Sequence, residues 1–219
     1  VTQQRQPHTL AAMAATIALT GASALGAPGA SIDASLTVHA GLSSAARGAL
    51  LREAESIWRD AGVQIRWVDA DHAATSPRVL RVVIDRRAGP PGHGGNWVAG
   101  ELLRFESGAS VAVASIARAE AIVEAAGVGA SHGSPDALVQ NRLGVVLGRA
   151  LAHEIGHYLL QSGAHASHGL MRATFQPREF TDLRSGIFGL DDASRRQIRL
   201  RLVTAQAGDT PLVLGRAAF

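Results

Sequence analysis

Residues 150–172 read ALAHEIGHYLLQSGAHASHGLMR, and the rest of the chain takes its meaning from them. His153, Glu154 and His157 form an H-E-x-x-H pattern. The residues from Leu143 to Leu160 are apolar with few breakers, which predicts a helix. On a helix His153 and His157 stand one turn apart, so both imidazoles project from one face toward a common point. Two such rings can hold a zinc ion, each at roughly 2.0–2.1 Å. Glu154 follows the first histidine directly. It can reach solvent beside such an ion without ligating it, which suits a general base.

A catalytic zinc site uses three protein ligands and leaves one position open. The apolar run stops at Gln161-Ser162-Gly163, where a glycine can end a helix in a left-handed turn. The returning chain then offers His165 or His168 as the third ligand. Gly169-Leu170-Met171 follows as a tight apolar turn that can floor the site. The competing reading is a buried helix with two solvated or hydrogen-bonded histidines. The glycine stop, the further histidine and the methionine turn together favour the metal.

With these residues in view, the stretch resembles the metzincin group of zinc metalloproteases. AHEIGHYLL, a histidine eight residues after His157, and GLMRA are similar to a set of small secreted bacterial metzincin-like proteins. The resemblance implies His153, His157 and His165 as zinc ligands, Glu154 as the base and Met171 as the Met-turn residue, with His168 as the alternative ligand. The usual metzincin spacing puts Gly and His three and six residues after the second ligand; here those positions are Leu160 and Gly163. The third ligand therefore follows a longer spacing. The likeness is dense over 140–175 and sparse over 35–125. It implies an α/β (α+β), zincin-like fold: a small twisted mixed sheet packed against two long helices, with a short C-terminal subdomain holding the Met-turn. The implied activity is zinc-dependent endopeptidase hydrolysis of a peptide or protein substrate. A second class is a zinc-binding, non-catalytic interaction protein, secreted or membrane-anchored, on the same fold; retention of Glu154 argues against it, since metal binding does not need that carboxylate.

Composition narrows the classes. The chain has 219 residues and is 47% hydrophobic, enough for a substantial core. It has no cysteine, hence no disulfide framework or thiolate site. All 21 basic residues are arginine, which lifts the pI to 10.8 while the net charge is only +3. No stretch interleaves basic and aromatic residues, so no nucleic-acid partner is expected.

Residues 1–27 carry the marks of a secretory signal: Arg5, an apolar run over 10–19, and Ala22-Ser23-Ala24 as a cleavage site. The expected location is secreted or periplasmic, without stable membrane association once the leader is cleaved, and as a monomer. Residues 28–34 read as a linker. A single domain then spans 35–219, with an N-terminal subdomain over about 35–161 and a C-terminal one over about 162–219.

Within it, 36–39 is a first strand. A helix capped by Ser43 or Ser44 runs to 61, with Ala46, Leu50, Ala54, Ile57 and Trp58 on one stripe and Gly62 as its stop. Strands follow at 63–68, which alternates, and 79–84, which is central. Residues 88–96 are a Pro/Gly loop. Residues 97–105 read either as an edge strand, in which by resemblance Val98-Ala99-Gly100 would border the cleft and pair with substrate backbone, or as an exposed hairpin with Trp97 on the core. A strand at 110–115 and a helix at 117–126 precede a Gly/Ser loop containing His132. Ser134-Pro135-Asp136 starts the ligand helix, expected over 136–161, with Gly144, Gly148 and Gly156 packing closely on the sheet. Residues 175–180 read as irregular. A last helix runs from Asp191 or Asp192 to 203, with Arg195, Arg196, Arg199 and Arg201 as a solvated face, and 210–219 is a tail. His39, His72 and His93 read as surface or loop residues.

Overall fold

Ser43 starts the first helix. In a computed structural model that describes residues 30–38, 41–71, 79–86, 99–106, 108–129, 136–184 and 186–207, its hydroxyl accepts from the Ala46 amide at 3.2 Å and caps helix α1, Ser44–Asp60. The same hydroxyl donates to Gln140 Oε1 at 2.8 Å, tying the start of α1 to the ligand-bearing helix. The predicted stripe Ala46, Leu50, Ala54, Ile57 and Trp58 is buried throughout. Gly62, at φ 82°, ends the helix in a left-handed turn that a side chain would strain.

Five strands form one mixed sheet among the described residues: β1 Ala30–Val38, β2 Val63–Val68, β3 Leu80–Asp85, β4 Gly100–Arg104 and β5 Ser110–Ser115, in the order β2-β1-β3-β5-β4. All neighbours are parallel except β4, which runs antiparallel to β5 at one edge. The apolar run at 79–84 is the central strand, as its continuity predicts. Residues 30–34, expected as linker, are instead the first half of β1, so the strand starts six residues before Leu36. The Gly/Ser composition hid a period of two. Ile32 and Ala34 are buried, while Asp33 lies opposite Arg66 of β2 and binds it at 2.7 Å.

Helix α2, Ile116–Ala125, is capped by Ser115 and leads toward the long helix α3, Asp136–Leu160. From Leu143 onward α3 is buried nearly all round, which its weak amphipathicity requires. Close packing at the helix glycines is correct, but its partner is not the sheet. A Cβ on Gly148 would lie 2.7 Å from the Leu50 carbonyl and 2.8 Å from Glu53 Cβ, and one on Gly144 would overlap the Ala46 carbonyl. These two glycines let α3 lie directly against α1, the most extensive helix–helix contact of the fold. Each costs about 1 kcal/mol of intrinsic helix stability relative to Ala.

Beyond α3, residues expected to be irregular form a short helix, α4, Pro177–Thr181. Glu179 accepts from the Gln176 amide at 2.6 Å, a capping contact that stabilises one turn. Helix α5, Asp192–Ala207, starts where Asp191 caps the Ser194 amide at 2.8 Å and runs four residues past the expected end, through residues with no breaker. Its arginines are not all solvated. Arg195 donates to the Asp60 carbonyl at the end of α1 and to Leu190 O, fastening the C-terminal segment to the first helix. Phe175, Phe180 and Phe188 form an aromatic cluster, with Phe175 stacked on Phe188, and the Arg149 guanidinium lies 4.4 Å from the Phe188 ring. Arg149 is 2% exposed. It binds Glu53 at 2.7 Å and donates to the carbonyls of Glu179 and Phe180. It thus joins α1, α3 and α4 one turn before His153.

The predicted signal over 1–27, His39, His72, His93 and His132, the loop at 88–96 and the tail at 210–219 lie outside the described residues.

Candidate metal centre

The last two turns of α3 set the first two imidazoles. His153 and His157 have ring centroids 4.6 Å apart and face each other through Nε2 atoms 2.9 Å apart. Each ring is oriented by a backbone carbonyl: His153 Nδ1 lies 2.7 Å from Leu170 O, and His157 Nδ1 lies 2.7 Å from Ser162 O. A carbonyl only accepts, so Nδ1 is the donor in both rings. Each Nε2 then carries a free lone pair directed at the same point. Two lone pairs this close repel unless they share a cation. Carbonyl-oriented imidazoles of this kind are the usual outer support of a metal ligand.

The third ring arrives through the loop. Gln161, at φ 51°, makes the left-handed turn, and Gly163 does not. A glutamine there is strained relative to glycine, and that geometry sends Ser162 O back to the His157 ring. The ring of His165 then stands 5.4 Å from that of His153 and 4.9 Å from that of His157. One ligand nitrogen from each of the three lies within 4.8 Å of the others. Tetrahedral zinc ligands lie about 3.3 Å apart, so an exposed His165 needs only a small side-chain movement to close the set. The donor set fits a three-histidine metal site. His168 is exposed, contacts Ser167 Oγ at 3.1 Å and is not part of the cluster.

Met171 is buried beneath α3, and its sulfur fills the space where a Cβ on Gly156 would stand. The turn is closed by Ala166 N donating to Met171 O at 2.8 Å and Leu170 N donating to Gly189 O at 2.9 Å. This turn places the Leu170 carbonyl under His153. Glu154 is buried on the opposite side, against β4: a Cβ on Gly100 would lie 2.8 Å from its Cγ. A cavity of about 400 Å³ opens above, between Gly100–Leu102 and the chain from Arg172 to Phe175, with the three histidines and Glu154 in its wall.

Burial sets the electrostatics. It drives the Glu154 carboxyl up to about 8, with the Glu101 carboxylate adding to the effect. It drives His153 down to about 4 despite the opposing bond to Leu170 O, and it lowers His157 likewise. Neutral imidazoles are the state a metal needs.

The signs give a pH prediction for metal-free protein. Glu154, raised on folding, binds more protons when native between its ordinary 4.5 and about 8, so stability falls as pH rises through that window. His153, lowered on folding, acts oppositely between about 4 and 6.5. Of these three groups only Glu154 titrates from pH 6.5 to 8, and through it chelated wild type is expected to lose on the order of 2 kcal/mol. Glu154→Gln removes that loss. Denaturant unfolding of both chelated proteins at the two pH values measures it; parallel losses would contradict the buried carboxyl.

Sequence reasoning missed Arg104, Glu101, Arg149 and the two orienting carbonyls. Carbonyls leave no trace in a sequence. A period-two reading of 100–104 would have placed Gly100, Leu102 and Arg104 on one face of β4. Tyr158 packs partly buried on the core and is not among the cleft-lining residues.

No protein-family profile matches the sequence. No curated protein matches it either. Among solved structures the fold is similar to archaemetzincin from Methanopyrus kandleri, with TM-score 0.45 and 17% identity over 82% of this chain and 99% of that one. It is also similar to a chain of the GM1-bound form of the ECX AB5 holotoxin, with TM-score 0.41 and 14% identity over 80% of each.

Proposed function

We propose that this protein is a secreted or periplasmic zinc-dependent metalloendopeptidase of metzincin-like type, acting as a monomer on a peptide or protein substrate. One observation carries the reading: three imidazoles converge in the wall of an open cleft with a buried, non-ligating carboxyl beside them. His153, His157 and His165 hold the ion, and Met171 supports them from below. In this reading a leader at 1–27 precedes the catalytic domain, of which β1, from Ala30, is the first described element. No helix among the described residues is long and apolar enough to cross a membrane.

Bound by these histidines, zinc supplies Lewis acidity toward water and the scissile carbonyl. The chain's own residues do the rest. Gly100 lies against the Glu154 side chain, which is buried in the cleft wall and so kept largely out of bulk water. Near a dication the carboxylate form is favoured again, reversing the effect of burial. Glu154 then takes a proton from the attacking water and delivers it to the leaving amine nitrogen as the C–N bond breaks. β4 is an edge strand of the sheet among the described residues, and an extended substrate can pair along it.

The test is hydrolysis of a mixed peptide library by purified protein. The expected result is cleavage that a chelator abolishes and added zinc restores. Stoichiometric zinc without cleavage of any peptide would instead favour a non-catalytic binding protein.

A further inference from the structure

Arg104, the last residue of β4, is not in the cleft lining and belongs to no metal-ligand pattern. Its Nη2 donates to the main-chain carbonyl of His157 at 2.9 Å. That carbonyl lies in the last turn of α3, where carbonyls lack donors from within the helix. The Ser162 amide also approaches it, but at 3.4 Å. Arg104 is therefore the closer donor, and a cation suits the C-terminal end of a helix.

The contact is one end of a longer register. Gly100, Leu102 and Arg104 share one face of the strand. Gly100 abuts Glu154, Leu102 lines the cleft, and Arg104 reaches His157. One face of β4 thus touches the base at one end and the second imidazole residue at the other. The His157 ring is oriented separately, by Ser162 O. Its backbone is held from the strand and its ring from the loop. If the strand contact is lost, the ring anchor moves with the fraying last turn.

We propose that Arg104 is a positioning residue for His157, holding the end of α3 against β4 so that the ring stays aligned with the other two imidazoles. The inference rests on reading the three histidines as a metal site.

It is tested by zinc affinity, measured in competition with a chromophoric chelator, for wild type, Arg104→Ala and Arg104→Lys. Melting temperatures of the zinc-free forms are measured alongside. Arg104→Ala is expected to weaken zinc binding about 10–100-fold, the usual effect of losing an outer support, and Arg104→Lys to recover most of it. Zinc-free Arg104→Ala should melt no more than a few degrees below the others, the cost of one lost hydrogen bond. Unchanged affinity in Arg104→Ala overturns the inference, as does a lysine variant no better than alanine, or a weakening that follows a matching drop in zinc-free melting temperature. Wild type that binds no zinc overturns the metal-site reading and this inference with it; wild type that binds zinc beside an unaffected Arg104→Ala overturns the inference alone.

Discussion

On the proposed peptidase reading, Glu154→Ala is expected to bind zinc as the parent does and to hydrolyse peptides about 10²–10⁴-fold more slowly, the span for loss of a general base. The two halves of that result come from different parts of the site. The ligand nitrogens are oriented by Leu170 O and Ser162 O, and neither bond involves Glu154. Removing the carboxyl also removes a buried group that resists ionisation, so the fold is not weakened by loss of a favourable charge. What disappears is the carboxyl that, alone among the described residues, lies buried beside the imidazole cluster, against Gly100. Zinc content and kcat on one peptide, measured on the same preparation, separate the two effects. Parental kcat in Glu154→Ala would remove the carboxyl from the mechanism.

Much of this site was legible because its logic is local. H-E-x-x-H needs only a helix, and the apolar run through Leu160 specified one, so His153 and His157 fall together by geometry alone. The stripe on α1 was equally local. The return of His165 depended on a turn, and there the physical agent differed: Gln161 takes the left-handed conformation that Gly163 was expected to take. The outcome survived because either turn reverses the chain.

What could not be read was long-range. Gly144 and Gly148 announce a close approach but not its partner, and the partner is α1, nearly a hundred residues away in the chain, rather than the sheet. Arg149 sits in an apolar run without any local sign that Glu53 and two carbonyls of the later segment will bury it. The start of β1 was obscured by small residues whose strand character appears only when β2 pairs with them.

The account stands or falls on three imidazoles meeting at one ion, and on His165 as the third. Zinc binding in folded sites is worth on the order of 10–16 kcal/mol, shared among three or four ligands, so losing one ligand costs about a thousandfold in affinity. His168 contacts Ser167, outside the cluster, so its loss is expected to leave the affinity unchanged. The decisive measurement is therefore the zinc affinity of wild type, His165→Ala and His168→Ala, titrated against the same competing chelator. One zinc per chain, lost with His165 and kept without His168, is the predicted result. Undiminished zinc binding in His165→Ala, or its collapse only in His168→Ala, would contradict it.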